Sequence, residues 1–357
     1  MADVFVRFPI GTLAEKLAWG LPIDPVPPIE DALPASNDGP QFLHCGRFSL
    51  ESGEELSDLT ICYETWGTPN RFQSNIIVLC HERSGDHLSL AGLIGADRAF
   101  DPERYYIVAM DALGSGQSTS PSKSGLGMRF PRYTIRDMVR AQCLALTAGL
   151  GFTQLRCVAG ASMGAYMALE WAVNYIPFVK SSVCIAPSAQ CTPQLRAVHD
   201  SMRAVLSTSM GWPDHPDGKV VEALGLVEFP WSYGEEWYLQ YQQEAQYQER
   251  LSHVRERARE YDPIDLWYQM LACDSHDVTE PFDGDLAATL ARCKSALLVM
   301  PSASDILVPP RNAELMHRRL PNSELVEIPS YAGHAAGVLE TSFISGTIRD
   351  FLSKNSL

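Results

Sequence analysis

A chain of 357 residues, 46% hydrophobic and 20% charged, carries enough apolar material for one large domain or a core with a sizeable insertion. Its formal net charge of −15 argues against a nucleic-acid or anionic-membrane partner, which would need clustered Lys and Arg, and no apolar run is long enough to span a bilayer. Nine cysteines without a C-x-x-C pair or a His/Cys cluster at ligand spacing predict reduced, mostly buried thiols and no metal site. The first twenty residues lack the pattern of a secretory signal, so a cytoplasmic location is expected.

Residues 1–40 include "LPIDPVPPIEDALPASNDGP", proline at a density no helix sustains, and predict an extended Pro-rich N-terminal arm. "FLHCGRFSL" and "LTICYETWG" flank a polar turn and predict an antiparallel hairpin. "NIIVLC" and "RYYIVAMDA" are short continuous apolar runs, as parallel strands covered on both faces require. Apolar residues at helical spacing from Ile135 to Leu150, ending at a glycine, predict a helix. "LRCVAG", "SSVCIAPS" and "SALLVMPS" supply three more strands alternating with helical stretches. The alternation predicts an α/β fold with a mainly parallel central sheet and helices on both faces, its core formed by residues 41–189 and 286–357.

Between residues 190 and 285 the alternation breaks. Tyr238, Tyr241, Ala245, Leu251, Val254, Ala258 and Tyr261 mostly recur every three or four positions, the stripe of one amphipathic helix. As a unit the segment predicts a helical lid inserted after a core strand.

Gly160-Ala161-Ser162-Met163-Gly164 joins the run "RCVAG" to the helix-like "AYMALEWAV". A strand–turn–helix at such a pentapeptide lifts the serine hydroxyl above the sheet edge. Serine needs a base to become a nucleophile, and in this arrangement an acid and then a histidine should follow, each after a later strand. Asp305 in "SALLVMPSASDILVPP" and His334 in "SELVEIPSYAGHAAG" occupy those places. Asp305 has a blander alternative as cap of a helix near Pro309. An oxyanion hole would use the N–H of Met163 and one from "CHERSGDH", that of Arg83 or alternatively Glu82, with His81 and Asp86 as possible braces of the loop.

These residues resemble the homoserine O-acetyltransferase family of the α/β-hydrolase fold. The likeness runs from about Phe42 through "YETWGTPN", "CHERSGDH", "FPRYTIRDMVRAQ", "ASMGAYMALEWA", "SDILVPP" and "GHAAG". It implies Ser162 as nucleophile, Asp305 as acid, His334 as base, and a homodimer. The departures lean toward the family's ester-hydrolase branch. The elbow reads "SMGA", Ala335 stands where the transferases carry an aspartate, and "LGLVEFPWSYG" supplies no lid arginine. A zwitterionic acceptor without counter-charges is costly to desolvate.

Hydrolysis of short-chain carboxylic esters through an acyl-serine is therefore the expected activity, on a small-molecule ester and without a cofactor. Trp231, Tyr233 and Trp237 are candidates for the pocket wall. One alternative is an O-acetyltransferase using acetyl-CoA as co-substrate and a hydroxyl acceptor; another is a non-catalytic scaffold.

Overall fold

The computed structural model describes residues 35–239 and 243–355; most of the predicted N-terminal arm, and Tyr241, lie outside them. The strands are β1 (Gln41–Ser49), β2 (Glu55–Trp66), β3 (Ile76–Cys80), β4 (Tyr106–Met110), β5 (Cys157–Ala161), β6 (Ser181–Ile185), β7 (Ala296–Met300) and β8 (Ser323–Leu325). They form one sheet in the order β1-β2-β4-β3-β5-β6-β7-β8. The hairpin β1–β2 and the β2–β4 pair are antiparallel, and the pairings from β4 to β8 are parallel.

Continuous apolar strands split their side chains between two cores, because successive residues point to opposite faces. Ile76, Val78 and Cys80 enter one core, and Ile77 and Leu79 the other. The first core is covered by α1 (Ile135–Leu144) and α2 (Met163–Asn174), the second by the C-terminal helix.

α1 opens with a capping box, Thr134 and Asp137 exchanging side-chain and backbone bonds. It is regular only to Leu144. Residues 145–149 form a π-turn in which the Leu150 N–H reaches back five residues to Ala145 O, so the helix expected to run to Leu150 changes pitch in its last turn. α2 is buried from Met163 to Val173, as the central helix of a three-layer fold must be.

Among the described residues five α-helices lie between Gln190 and Asp277: α3 (Pro193–Ser207), α4 (Gly218–Ser232), α5 (Glu235–Tyr238), α6 (Glu244–Ala258) and α7 (Pro263–Asp274). Their two ends meet at a neck. Gln190 bridges Asp277, Cys191 N–H donates to His276 O at 2.8 Å, and Val278 N–H donates to Ala189 O at 3.0 Å. The stripe expected to form one helix is divided between α5 and α6. Tyr238 packs against Phe229 and Tyr233, and its hydroxyl donates to Phe229 O at 2.7 Å. That holds α5 against α4.

After the neck, α8 (Leu286–Ala291) leads into β7, and α9 (Pro310–His317), α10 (Ala336–Leu339) and α11 (Thr341–Lys354) complete the chain. α11 buries Ile344, Ile348, Phe351 and Leu352 against the second core, each side chain contributing about 1.5–3 kcal/mol of apolar burial. All nine cysteines are free thiols, six of them buried.

Candidate active site

Ser162 sits between β5 and α2 with φ 54° and ψ −115°, a conformation that costs a non-glycine residue about 1–3 kcal/mol and persists only where surroundings enforce it. Its N–H donates to Ile185 O on β6 at 2.9 Å. The two flanking glycines are needed for close approach. A Cβ on Gly160 would meet Gly164 O at 2.1 Å, and one on Gly164 would meet Cys80 O at 2.0 Å. Strand, turn and helix are thus pressed together so that the hydroxyl stands clear at the sheet's edge.

Asp305 follows β7 and His334 follows β8, at the same edge because the strands are parallel. The structure brings the three together. His334 Nε2 lies 2.8 Å from Ser162 Oγ, and His334 Nδ1 lies 2.7 Å from Asp305 Oδ2. The other carboxylate oxygen, Oδ1, accepts the Leu307 and Val308 N–H groups, both at 2.8 Å. Asp305 therefore orders its own loop and does not cap α9, whose N-cap is Pro309 without a side-chain bond.

Ser304 was not singled out by the sequence, and it ties the two loops together. Its hydroxyl donates to Ser330 O at 2.7 Å and accepts from Gly333 N–H at 2.9 Å. Gly333, at φ 61°, packs so closely on Tyr233 and Gly234 that a Cβ would fall 2.6 Å from their backbone.

Burial opposes the charged form of His334, but Asp305 beside it, aided by Glu228, outweighs this and raises its pKa above the ordinary histidine value; Arg83 pulls the other way. The base must be neutral to accept the serine proton. kcat/KM is therefore expected to rise with pH through an acidic limb lying above the ordinary histidine pKa of about 6.5. A pH–rate profile with its limb at or below that value would contradict the assignment.

Met163 is the first residue of α2, so its N–H has no intrahelical carbonyl to reach. In the loop after β3, His81 Nε2 accepts the Ala112 N–H at 3.0 Å, leaving Nδ1–H to donate to Glu82 O at 2.7 Å. This fixes the peptide plane whose N–H belongs to Arg83. The Ser84 N–H is taken by Gln269 at 2.8 Å, so a second oxyanion donor from this loop falls to Arg83 or Glu82. Asp86 braces the loop on its exposed side, accepting the Leu88 N–H.

A cavity of about 510 Å³ opens over Ser162 and His334. Of the three aromatics expected in its wall, Tyr233 lines it. Trp237 is a second layer, 3% exposed and stacked on Tyr233 at 3.8 Å between centroids. Trp231 is 38% exposed and outside the lining. The place of Trp231 follows from helical phase: α4 turns Phe229 inward and Trp231 outward. Ala335 lines the cavity beside His334.

The segment after Gly225 brings no arginine, as read from the sequence, yet arginines reach the cavity from elsewhere: Arg83 from the β3 loop, and Arg250 and Arg257 from α6. Arg83 is ion-paired with Glu228 of α4. Burial works against its charge and Glu228 more than compensates. Arg250 lies over the Phe229, Tyr233 and Trp237 rings at 5.9, 5.4 and 5.2 Å.

Away from this cavity, Cys62, His87 and Asp111 come together with ligand-type atoms within 4.8 Å, a grouping their sequence positions did not reveal. The Asp111 oxygens already accept the N–H and Nδ1–H of His87 and the N–H of Gln117, a hydrogen-bonded knot beneath the β4 loop. Among the described residues no helix is long and apolar enough to cross a membrane.

Comparison with known proteins agrees with this fold. The profile of the alpha/beta hydrolase fold matches residues 75–340. A homoserine O-acetyltransferase of Methanohalophilus mahii is 30% identical over 343 residues, covering 85% of this chain and 70% of that protein. A probable esterase of Corynebacterium glutamicum is also 30% identical, over 310 residues, covering 81% of this chain and 87% of that protein. The crystal structure of an acetylester hydrolase from Corynebacterium glutamicum superposes with a TM-score of 0.82 at 26% identity, over 88% of this chain and 96% of that one.

Proposed function

The chain belongs to the homoserine O-acetyltransferase-like α/β hydrolases, and from that premise we propose that it is a carboxylic-ester hydrolase working through an acyl-Ser162 intermediate. The observation that carries this reading is the unbroken relay from Ser162 Oγ to His334 to Asp305 at the floor of the cavity.

Ser162 attacks the ester carbonyl while His334 Nε2 takes its proton. Asp305 keeps the other ring nitrogen protonated and stabilises the imidazolium. The Met163 N–H, with that of Arg83 or Glu82, receives the charge developing on the carbonyl oxygen. Collapse expels the alcohol, protonated by His334. Water, deprotonated by the same nitrogen, then attacks the acyl-serine and releases the carboxylic acid. Nucleophile, base and acid are all the chain's own side chains, so no cofactor enters.

An O-acetyltransferase reading shares the first half of this cycle, with acetyl-CoA as donor and an alcohol in place of water. It draws on Arg250 and Arg257 at the cavity, which could face an anionic acceptor. Ala335 beside the base offers no counter-charge for an ammonium group, and this favours hydrolysis.

Intact-mass trapping separates the two. Rapid quenching with p-nitrophenyl acetate should leave one acetyl group on Ser162 that decays to free enzyme and acetate. Homoserine should not accelerate acetyl-CoA consumption. Saturable acceleration would return the transfer reading, and no adduct at Ser162 would leave a non-catalytic scaffold.

A further inference from the structure

Five buried side-chain atoms that have no hydrogen-bond partner among the described residues belong to residues lining the Ser162 cavity: Glu82 Oε2, Arg83 Nη1, Tyr166 OH, His199 Nε2 and Arg250 Nε. An unpaired buried polar group costs about 1–3 kcal/mol. Their concentration around one cavity marks a wall that a ligand is meant to complete.

His199 gives that wall its chemical sense. The ring, on α3, is 1% exposed, and its Nδ1 lies 2.7 Å from Asp274 Oδ1, while Asp274 is held in turn by Arg203. Burial, assisted by Arg83 and opposed by Asp274, holds its pKa below the ordinary histidine value, so the ring is neutral near pH 7. With Nδ1–H donating to the carboxylate, Nε2 carries the lone pair and can only accept. A second His–Asp pair thus borders the cavity of the first. The Arg83–Glu228 ion pair is electrostatically coupled to both histidines.

The unpaired atoms are of both kinds. Arg83 Nη1 and Arg250 Nε only donate; His199 Nε2 and a Glu82 carboxylate oxygen accept. An ammonium group would answer the acceptors and leave the arginines unmatched. A carboxylate would do the reverse, and an alkyl group would answer neither. A zwitterion would answer both kinds but must give up the hydration of two charges, whereas an uncharged aliphatic hydroxyl both donates and accepts.

We propose that the Ser162 cavity is specific for esters bearing free aliphatic hydroxyl groups, with His199 Nε2 accepting a substrate O–H and Arg83 Nη1 donating to a substrate hydroxyl oxygen. The proposal rests on the serine-hydrolase reading above and adds a substrate class to it. An alkyl chain in the same place would leave these atoms unpaired.

The test compares kcat/KM for 2,3-dihydroxypropyl acetate and its carbon isostere 2-methylbutyl acetate, each normalised to its hydroxide-catalysed rate. A second arm compares methyl 2,3-dihydroxypropanoate with methyl 2-methylbutanoate. A preference of about tenfold or more for the hydroxylated ester in either arm supports the proposal, and the arm that shows it assigns the hydroxyls to the alcohol or acyl side. His199→Phe should bring that ratio close to one, and His199→Gln, which can place an oxygen near the Nε2 position, should keep part of it. Parity in both arms for the wild-type enzyme, or an undiminished ratio in folded His199→Phe, overturns the proposal. The wild-type comparison decides even where the phenylalanine variant fails to fold. Fluorophosphonate labelling of wild-type Ser162 keeps the two readings apart: labelling with parity sinks only the substrate class, while no labelling and no ester turnover sinks the hydrolase reading itself.

Discussion

Ser162→Ala is expected to lower kcat for p-nitrophenyl acetate by about 10⁶-fold, about 8 kcal/mol of lost transition-state stabilisation. Without its hydroxyl no acyl-serine can form. His334 alone could deprotonate water, but a loosely placed water lacks the positional advantage of an oxygen held 2.8 Å from the base. The variant should melt with the parent, within about 0.5 kcal/mol, because alanine tolerates the turn about as well as serine and the lost hydroxyl bonds only His334. Turnover near the wild-type rate would mean that the nucleophile lies elsewhere.

The second large effect belongs to Asp305→Asn, for a reason particular to this loop. Asp305 Oδ1 is pinned by the N–H groups of Leu307 and Val308. Asparagine must keep its one oxygen there, since two buried donors would otherwise go unpaired. Its NH₂ group then faces His334 Nδ1 and forces that nitrogen to become an acceptor. The ring proton moves to Nε2, which can no longer receive the serine proton. The expected loss is about 10⁴-fold in kcat, with the fold retained. Removing the carboxylate charge should also lower the acidic limb of the pH profile, since that charge is what raises the His334 pKa against burial. A modest loss with an unmoved limb would show that Asp305 is not the partner that matters.

Much of the core could be read from the chain because its signals are local. The parallel strands β3, β4, β5 and β7 are continuous runs of five apolar or small residues, β6 opens on two serines, and β8 is only Ser-Glu-Leu. Ser162 directly follows β5, and Asp305 and His334 lie in the loops after β7 and β8, so strand ends bring all three to one edge of the sheet and the loop contacts complete the approach. The lid was harder, because its organisation depends on contacts between distant residues. Tyr238 had the spacing to continue into α6 but is held by α4 instead. Arg250 carries no signal in the sequence that it sits over three lid aromatics. The Arg83–Glu228 pair spans 145 positions and the His199–Asp274 pair 75. Neither has a spacing that a linear pattern could register. His199 gains its partner only because α7 brings Asp274 against α3.

The meeting of Gln190 with Asp277 has an evolutionary corollary. Everything between those positions leaves the sheet and rejoins it through a single isthmus, while the reactive trio is mounted entirely on the mainland side. Variation in the peninsula can alter what the enzyme accepts while the trio keeps its mounting, provided the lid residues that brace it are kept: Glu228 near His334, Gln269 on the Ser84 N–H, and the Tyr233–Gly234 backbone against Gly333. That division of labour offers a physical basis for how transferases and esterases can diverge from one ancestral scaffold.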